Sequence, residues 1–137
     1  MANSFEVRYL EGGSLLAGWL RGTLDAELAR KLVAFIELQE AESEKGFDRF
    51  CDLTALEGIT LSVDEVASLA ARRRAYNPNP IRVKSAFLVG GPLALGVAHV
   101  FKALLQSDRI EVRWFDSREA AAAWLQVSPE TLRREES

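Results

Sequence analysis

The sequence predicts a single α/β domain with a mainly parallel sheet of about five strands, an antiparallel hairpin at its start and about four helices. The length of 137 residues suits one domain. The apolar residues recur at strand period and at helix period in turn along the chain. After two initial strands, every predicted strand is followed by a helix, which is the order of right-handed βαβ crossovers and parallel pairing.

The first two predicted strands form the hairpin. In residues 5–10, Phe5 and Val7 alternate with the charged Glu6 and Arg8, as in a strand with one wet face. Residues 14–21 are apolar on both faces, so we expect this strand inside the sheet and the first strand at its edge.

Apolar side chains recur at helix period from residue 25 to residue 43, which predicts the first helix. Asp25 or Thr23 can cap its start. Its charged residues, with Glu37 and Glu40 among them, are expected on the solvent side. The sequence therefore predicts an amphipathic helix covering one face of the sheet.

Residues 47–53 predict a third strand, and residues 54–61 a connecting loop. Ser62 and Glu65 have the spacing of a capping box and should open the second helix. This helix should not pass Tyr76, because the two Asn-Pro pairs that follow remove donors and disfavour helical geometry.

The remaining predicted elements are a strand at residues 83–90, a helix that begins after Gly91 and Pro92, a strand at residues 110–115 and a helix at residues 116–125. Asp116 and Glu119 have capping-box spacing at the start of the last helix. We assign residues 1–127 to the α/β domain and expect residues 128–137 to be a polar, fraying tail.

The composition narrows the function classes. A net charge of −3 gives no general attraction to nucleic acid. The sequence has one cysteine, Cys51, and one histidine, His99, so no Cys/His metal cluster is predicted. It also contains no residue pattern that predicts a catalytic site or a cofactor site. The sequence shows no signal-peptide pattern and no apolar run long enough to span a membrane, so we expect a cytoplasmic protein.

Several short stretches at strand ends and helix starts resemble the SpoIIAA-like fold of STAS domains (sulfate transporter and anti-sigma-factor antagonist). The residues that carry this likeness are Cys51-Asp52-Leu53-Thr54, Gly91-Pro92-Leu93-Ala94, Val112-Arg113-Trp114-Phe115-Asp116 and Ala123-Trp124-Leu125. More narrowly, the chain is similar to small stand-alone bacterial members of that superfamily whose role is unassigned. The resemblance implies a regulatory module that docks to a protein partner.

In anti-sigma-factor antagonists, a serine of an Asp-Ser-Ser-Gly element is phosphorylated. The segment of this chain similar to that element contains Thr60, Ser62 and Asp64, but the aspartate and glycine of the motif are missing around Ser62. Ser62 therefore has two interpretations, a helix cap or a phosphorylation and partner-docking site.

Arg72, Arg73 and Arg74 form a basic cluster that could contact an anion or a partner. The alternative is that they remain solvated in the last turns of a helix, where cations complement the helix dipole. Gly91 could contribute to an anion site at a helix start, although proline at the next position favours a simple tight turn.

Two functions follow as hypotheses. The first is a non-enzymatic regulatory or protein-interaction module, acting as a homodimer. The alternative is a carrier or sensor of a small apolar or anionic ligand, in which Trp19, Trp114 and Trp124 could line an apolar pocket. Without a catalytic constellation, we do not predict an enzyme.

Overall fold

The computed structural model describes residues 3–76 and 81–134, and these form a six-stranded sheet with four α-helices. The strands are β1 (Ser4–Leu10), β2 (Leu15–Leu24), β3 (Asp48–Asp52), β4 (Leu56–Ile59), β5 (Val83–Leu88) and β6 (Ile110–Phe115). The helices are α1 (Ala26–Glu42), α2 (Val63–Ala75), α3 (Pro92–Leu105) and α4 (Arg118–Leu125), with short 3-10 helices at Glu11–Gly13 and Pro129–Leu132. The predicted α/β class and element order are confirmed.

The sheet has the order β1-β2-β3-β5-β6, in which β1 is antiparallel to β2 and all other pairs are parallel. The hairpin and the edge position of β1 are therefore as predicted. The interior strand β2 pairs with both β1 and β3. Both of its faces are apolar because helices cover both sides of the sheet.

The prediction of a loop over residues 54–61 was wrong, because β4 lies within that segment. β4 pairs in parallel with Gly22–Leu24, beyond the point where β2 leaves β3. The strand is only four residues long and contains Gly58, so its apolar period was too short to detect.

Helices cover both faces of the sheet. On one face, α4 packs its alanines against strand residues such as Ala17, Phe50 and Ala86. On the other face, α1 contacts β1, α3 contacts β4 and β6, and α2 contacts both α1 and α3. Trp19 is buried under α4, with an exposed fraction of 4%, so it lies in the core and not on an open sheet face.

The C-terminal tail prediction was wrong for residues 128–134. Leu132 has an exposed fraction of 0%, and its carbonyl accepts a 3.1 Å hydrogen bond from Trp19 Nε1. One leucine among polar neighbours gives no periodic signal, so the sequence did not show that this segment completes the core.

The helix starts follow the capping rules with one correction. Asp25 caps α1, and Ser62 and Glu65 form the predicted reciprocal capping box of α2. The last helix, by contrast, is capped by Ser117, whose Oγ accepts from the Ala120 backbone, and not by Asp116. Both residues favour caps, and the cap lies one position later than predicted.

Candidate functional site

A cavity of about 150 Å³ lies between the sheet and the layer formed by α1, α2 and α3. Its walls are almost wholly carbon. The sheet contributes residues of β2, β3 and β5, and the helices contribute one apolar face each. Representative lining residues are Leu20, Cys51 and Phe87 from the strands and Leu32, Leu69 and Phe101 from the helices.

Small residues explain why the layers leave this space. Gly18, Ala29 and Ala98 all line the cavity, where longer side chains would have met one another. A Cβ placed on Gly18 would meet nothing closer than Val7 Cγ1 at 3.7 Å, an ordinary contact distance. Protein interiors are normally packed to the density of organic crystals, so an apolar void of this size is a distinct feature of the core.

Cys51 faces this cavity from β3. Burial, together with the neighbouring charge of Asp52, raises the pKa of the Cys51 thiol to about 12. The thiol therefore stays protonated at neutral pH, and a protonated thiol is a weak nucleophile and a poor metal ligand.

A group of charged side chains lies beside the cavity. Six side chains from α1, α2, β3 and the residue before β6 form what we call the arginine–glutamate cluster: Glu37, Glu40, Arg49, Arg72, Arg73 and Arg109. Two of its members, Arg49 and Arg73, also line the cavity. Because the lining is almost wholly carbon, these two residues line it chiefly through their side-chain carbons.

Glu40 is the centre of the cluster. Its Oε2 accepts hydrogen bonds of 2.7 Å from both Arg49 and Arg73, and its Oε1 accepts another of 2.7 Å from Arg73. Burial alone would raise the pKa of Glu40, but the hydrogen bonds and charges of Arg73 and Arg49 lower it below its ordinary value. Glu40 is therefore ionised in the folded protein at neutral pH.

Glu37 forms the outer half of the cluster. Its Oε1 accepts hydrogen bonds of 2.9 and 2.6 Å from the guanidinium of Arg72, and its Oε2 lies 3.5 Å from Arg73 Nη1. The expectation that Glu37 and Glu40 stay solvated was wrong, since both are buried. Helical period alone could not show that arginines of α2 and β3 would face them.

The three consecutive arginines have different environments. Arg73 has an exposed fraction of 4%, so the interpretation that it remains solvated is wrong. Arg72 is half-exposed, and Arg74 is exposed and donates a 2.6 Å hydrogen bond to the Leu104 carbonyl at the end of α3. The basic run is therefore divided between the buried cluster and the junction of α2 with α3.

Arg49 carries an unused donor. Its Nη1 and Nη2 donate to Glu40 and to the Phe47 carbonyl, but its buried Nε has no hydrogen-bond partner among the described residues. Burial lowers the pKa of Arg49, and the carboxylate of Glu40 partly offsets that effect. A buried donor without an acceptor is costly, so the stability of the fold includes this cost.

The residues predicted as a docking surface lie at the other end of α2. Ser62 and Asp64 are exposed, and the Thr60 amide donates to the Leu24 carbonyl in the β2–β4 pair. The Ser62 Oγ accepts from the Glu65 amide, which matches the capping interpretation. Phosphorylation and docking at this surface stay predictions.

Gly91 and the tryptophans are dispersed. Gly91 is the exposed N-cap of α3 and has extended backbone, with Pro92 at the first helical position. Trp114 stacks on His99, with ring centroids 4.0 Å apart, whereas Trp124 packs on Phe115 from the other face. The three tryptophans therefore do not line one pocket.

Within residues 3–76 and 81–134, no cluster of His, Cys, Asp or Glu side chains has an arrangement that could hold a metal ion. In the same ranges, no helix combines the length and the apolar character needed to cross a bilayer.

The cavity and the cluster were not foreseen, although weak signals exist. Arg49 is a cationic residue in an interior strand, between the charged residues Asp48 and Asp52, and Gly18 interrupts the apolar run at the start of β2. A charge in such a strand requires a buried partner, and a glycine there marks close approach or space.

Among solved structures, the chain is similar to an uncharacterized protein from the DUF3478 family with a SpoIIAA-like fold, from Shewanella loihica PV-4. The TM-score is 0.61 at 17% sequence identity, and the match covers 91% of this chain and 96% of the other. No protein-family model and no curated protein matches the sequence. The chain has a SpoIIAA-like fold, as its sequence motifs predicted.

Proposed function

We propose that this protein is a non-enzymatic carrier or sensor that encloses a small apolar molecule in the cavity between the sheet and helices α1–α3. The observation that supports the proposal is the cavity itself, about 150 Å³ with walls of carbon. An apolar cavity of this volume stays dry in a protein interior and takes up molecules such as benzene or xenon.

Filling the cavity should stabilise the protein through packing. Side chains around an empty space lose the dispersion contacts that a well-packed core provides, and a void of this size lowers stability. A ligand that fills the space restores those contacts and buries its own apolar surface. Ligand binding therefore recovers stability that the protein loses by leaving this part of its core unfilled.

We propose that the protein binds its ligand without reacting with it. Cys51 is a potential nucleophile facing the cavity, and the raised pKa of its thiol disfavours attack on a bound molecule. The surrounding leucine, valine and phenylalanine side chains offer shape and apolar surface only.

The test is a titration of the purified protein with benzene, followed by nuclear magnetic resonance of the backbone amides. We expect saturable shifts centred on β2, β3 and α3, and a free energy of unfolding raised by about 1.4 kcal/mol at ten times the dissociation constant. Absence of saturable binding would overturn the proposal.

Two glycine variants make the titration specific to the cavity. Gly18→Ala adds a methyl group to the cavity wall without a steric clash, and it should weaken benzene binding by about fivefold. Gly58→Ala is the matched control, because its Cβ would meet only Thr23 Oγ1 at 4.0 Å and lies in β4, away from the cavity. Equal effects of the two variants would contradict binding in this cavity.

A further inference from the structure

The outer edge of β6 is an open end of the sheet. β6 is the last strand in the order β1-β2-β3-β5-β6, and no strand within residues 3–76 and 81–134 pairs with its outer side. Its six residues pair with β5 in an unbroken register, and they include neither proline nor glycine. A regular edge strand of this kind presents backbone groups that can bond to another strand.

The backbone groups that face outward can be assigned from the two ends of β6. The carbonyls of Arg109 and Phe115 accept hydrogen bonds of 2.8 and 2.9 Å from backbone amides at the two ends of β5. Successive residues of a strand direct their backbone groups to opposite sides, so the residues between these two alternate in direction. The residues whose backbone groups face outward are therefore Ile110, Val112 and Trp114.

The charged side chains of β6 lie on either side of Val112 and are accessible. Glu111 and Arg113 share the face covered by α4, where Arg113 lies over the ring of Trp124 at 5.1 Å. Their side chains are 55% and 52% exposed, and they pair with each other at 3.2 Å. A two-fold rotation about Val112 exchanges the two positions, so this edge is electrostatically complementary to itself.

The opposite edge strand has the same order of residues, but its charges are engaged. In β1, Glu6 and Arg8 flank Val7. Glu6 accepts a 3.1 Å hydrogen bond from Arg134 Nε, and Arg8 lies over the ring of Trp19 at 5.1 Å. The Arg8 side chain is 25% exposed, about half the exposure of the arginine in β6. The β6 edge therefore presents the more accessible pair of charges.

We propose that two copies of this chain associate edge to edge, with β6 antiparallel to β6 of the second copy and Val112 on the two-fold axis. This arrangement places Glu111 of each copy opposite Arg113 of the other. Opposite charges at such cross-strand positions stabilise strand pairing. The dimer is closed, because the same edge is used by both copies.

The backbone groups fit this alignment. The Val112 amide of each copy donates to the Val112 carbonyl of the other, and the Trp114 amide donates to the Ile110 carbonyl. The Ile110 amide keeps its 3.0 Å hydrogen bond to Ser107 Oγ within its own chain. On the face covered by α2 and α3, the pairing also places the half-buried Trp114 beside Ile110 of the second copy.

Charged residues on an edge strand can also prevent association. A row of like charges would repel a second copy in any alignment, but β6 has one acid and one base, two positions apart. Parallel strands in register would place Glu111 opposite Glu111 and Arg113 opposite Arg113. Only the antiparallel alignment about Val112 pairs opposite charges, so the order of charges selects that direction.

Sedimentation equilibrium of the full chain tests the dimer. We expect the dimer fraction to rise between about 1 µM and about 1 mM protein. Arg113→Glu and Glu111→Arg each make both cross-strand pairs like-charged, and each should weaken dimerisation by about thirtyfold. The matched controls are Lys31→Glu and Glu27→Arg, which make the same charge changes at exposed positions of α1 and should leave dimerisation unchanged.

A mixture of the two β6 variants tests the alignment. When Arg113→Glu meets Glu111→Arg, both cross-strand pairs join opposite charges again. Native mass spectrometry should therefore show a mixed dimer, with an affinity within about threefold of the unaltered protein. A mixture of the two α1 controls should show no preference for the mixed dimer. A mixture of the β6 variants that stays as dissociated as each variant alone would overturn the proposal.

Amide hydrogen exchange of the unaltered protein tests the same alignment without a substitution. Exchange at Val112 and Trp114 should slow by at least about tenfold as the dimer forms, because their amides become bonded. The amides of Glu111 and Arg113 face β5 in either state and should change less. A chain that stays monomeric to about 1 mM, or a dimer that withstands both β6 variants, would overturn the proposal. Growth into larger oligomers, as β1-to-β6 pairing would produce, would also overturn it.

Discussion

Arg73 of α2 donates two hydrogen bonds of 2.7 Å to Glu40 of α1, although the two residues lie 33 positions apart and both side chains are 5% exposed. This bidentate pair joins two helices of the layer that covers the cavity. A buried ion pair of this geometry fixes the relative position of the two elements, since removal of Glu40 would deprive the buried Arg73 of both hydrogen bonds.

Replacing Glu40 should therefore be strongly destabilising. We expect Glu40→Gln to lower the free energy of unfolding by about 3–5 kcal/mol, because Arg49 and Arg73 lose their shared carboxylate. Urea denaturation measures the change. Glu27→Gln is the matched control on α1, where an exposed pair with Lys31 should contribute less than about 1 kcal/mol. Similar effects of the two variants would contradict this role of Glu40.

Glu40 should also make the free energy of unfolding depend on pH. Burial opposes ionisation of Glu40, but its arginine partners lower its pKa below the ordinary value of 4.5. Glu40 therefore contributes its full stabilisation above about pH 4.5, which is the pKa of its carboxyl group in the unfolded chain. This contribution is lost as the pH falls through the lower pKa of the folded state. Urea denaturation from pH 7 to pH 3 should show this loss, and Glu40→Gln should show a smaller acid dependence. An unchanged acid dependence in the variant would assign the effect to other carboxylates.

Cys51 should react slowly with thiol reagents. Its pKa of about 12 leaves very little thiolate at pH 8, and the cavity restricts access. We expect labelling of the folded protein to be at least about a hundredfold slower than labelling in concentrated urea. Saturating benzene should slow it further. Rapid labelling of the folded protein would show that the thiol is exposed and the cavity open.

Ser62 should behave as a helix cap. Ser62→Ala removes the acceptor for the Glu65 amide and should cost about 1 kcal/mol, whereas Ser62→Asp preserves a capping oxygen and should cost less. Thermal or urea denaturation measures both. Ser68→Ala is the control, because Ser68 is an exposed position inside α2 and alanine favours the helix there. A partner that binds the unaltered protein and Ser62→Ala equally, but not Ser62→Asp, would favour the docking interpretation.

Leu132 should be essential to the core. Leu132→Ala should lower the free energy of unfolding by about 2–5 kcal/mol, since the side chain is fully buried against Trp19 and α4. Leu38→Ala, at a position that is 57% exposed, is the control and should change it by less than about 0.5 kcal/mol. If Leu132→Ala has an equally small effect, residues 128–134 are a tail after all.

The sequence predicted those features that depend on local pattern. The hairpin of β1 and β2, the two apolar faces of β2 and the capping box of Ser62 and Glu65 each follow from neighbouring residues, and each is present. The solvated face predicted for β1 is absent among the described residues, because Glu6 and Arg8 are half-buried. The missed elements depend on distant partners. β4 exists because β2 extends past β3, and Leu132 is buried because Trp19 and α4 lie above it.

The candidate site depends even more on tertiary structure. Glu40 and Arg73 each fit the solvent face of an amphipathic helix, and only the packing of α1 beside α2 turns them toward each other. A cavity is likewise a property of volumes summed over several elements. Gly18, Ala29 and Ala98 are ordinary residues in sequence, and they leave space only where β2, α1 and α3 bring them together.

A crystal structure of the protein pressurised with xenon tests directly whether the cavity takes up a small apolar guest. We expect a xenon atom in the cavity, in contact with Cys51 and Phe101 and close to Gly18. A core in which side chains fill this space and no xenon enters would contradict the proposed binding function.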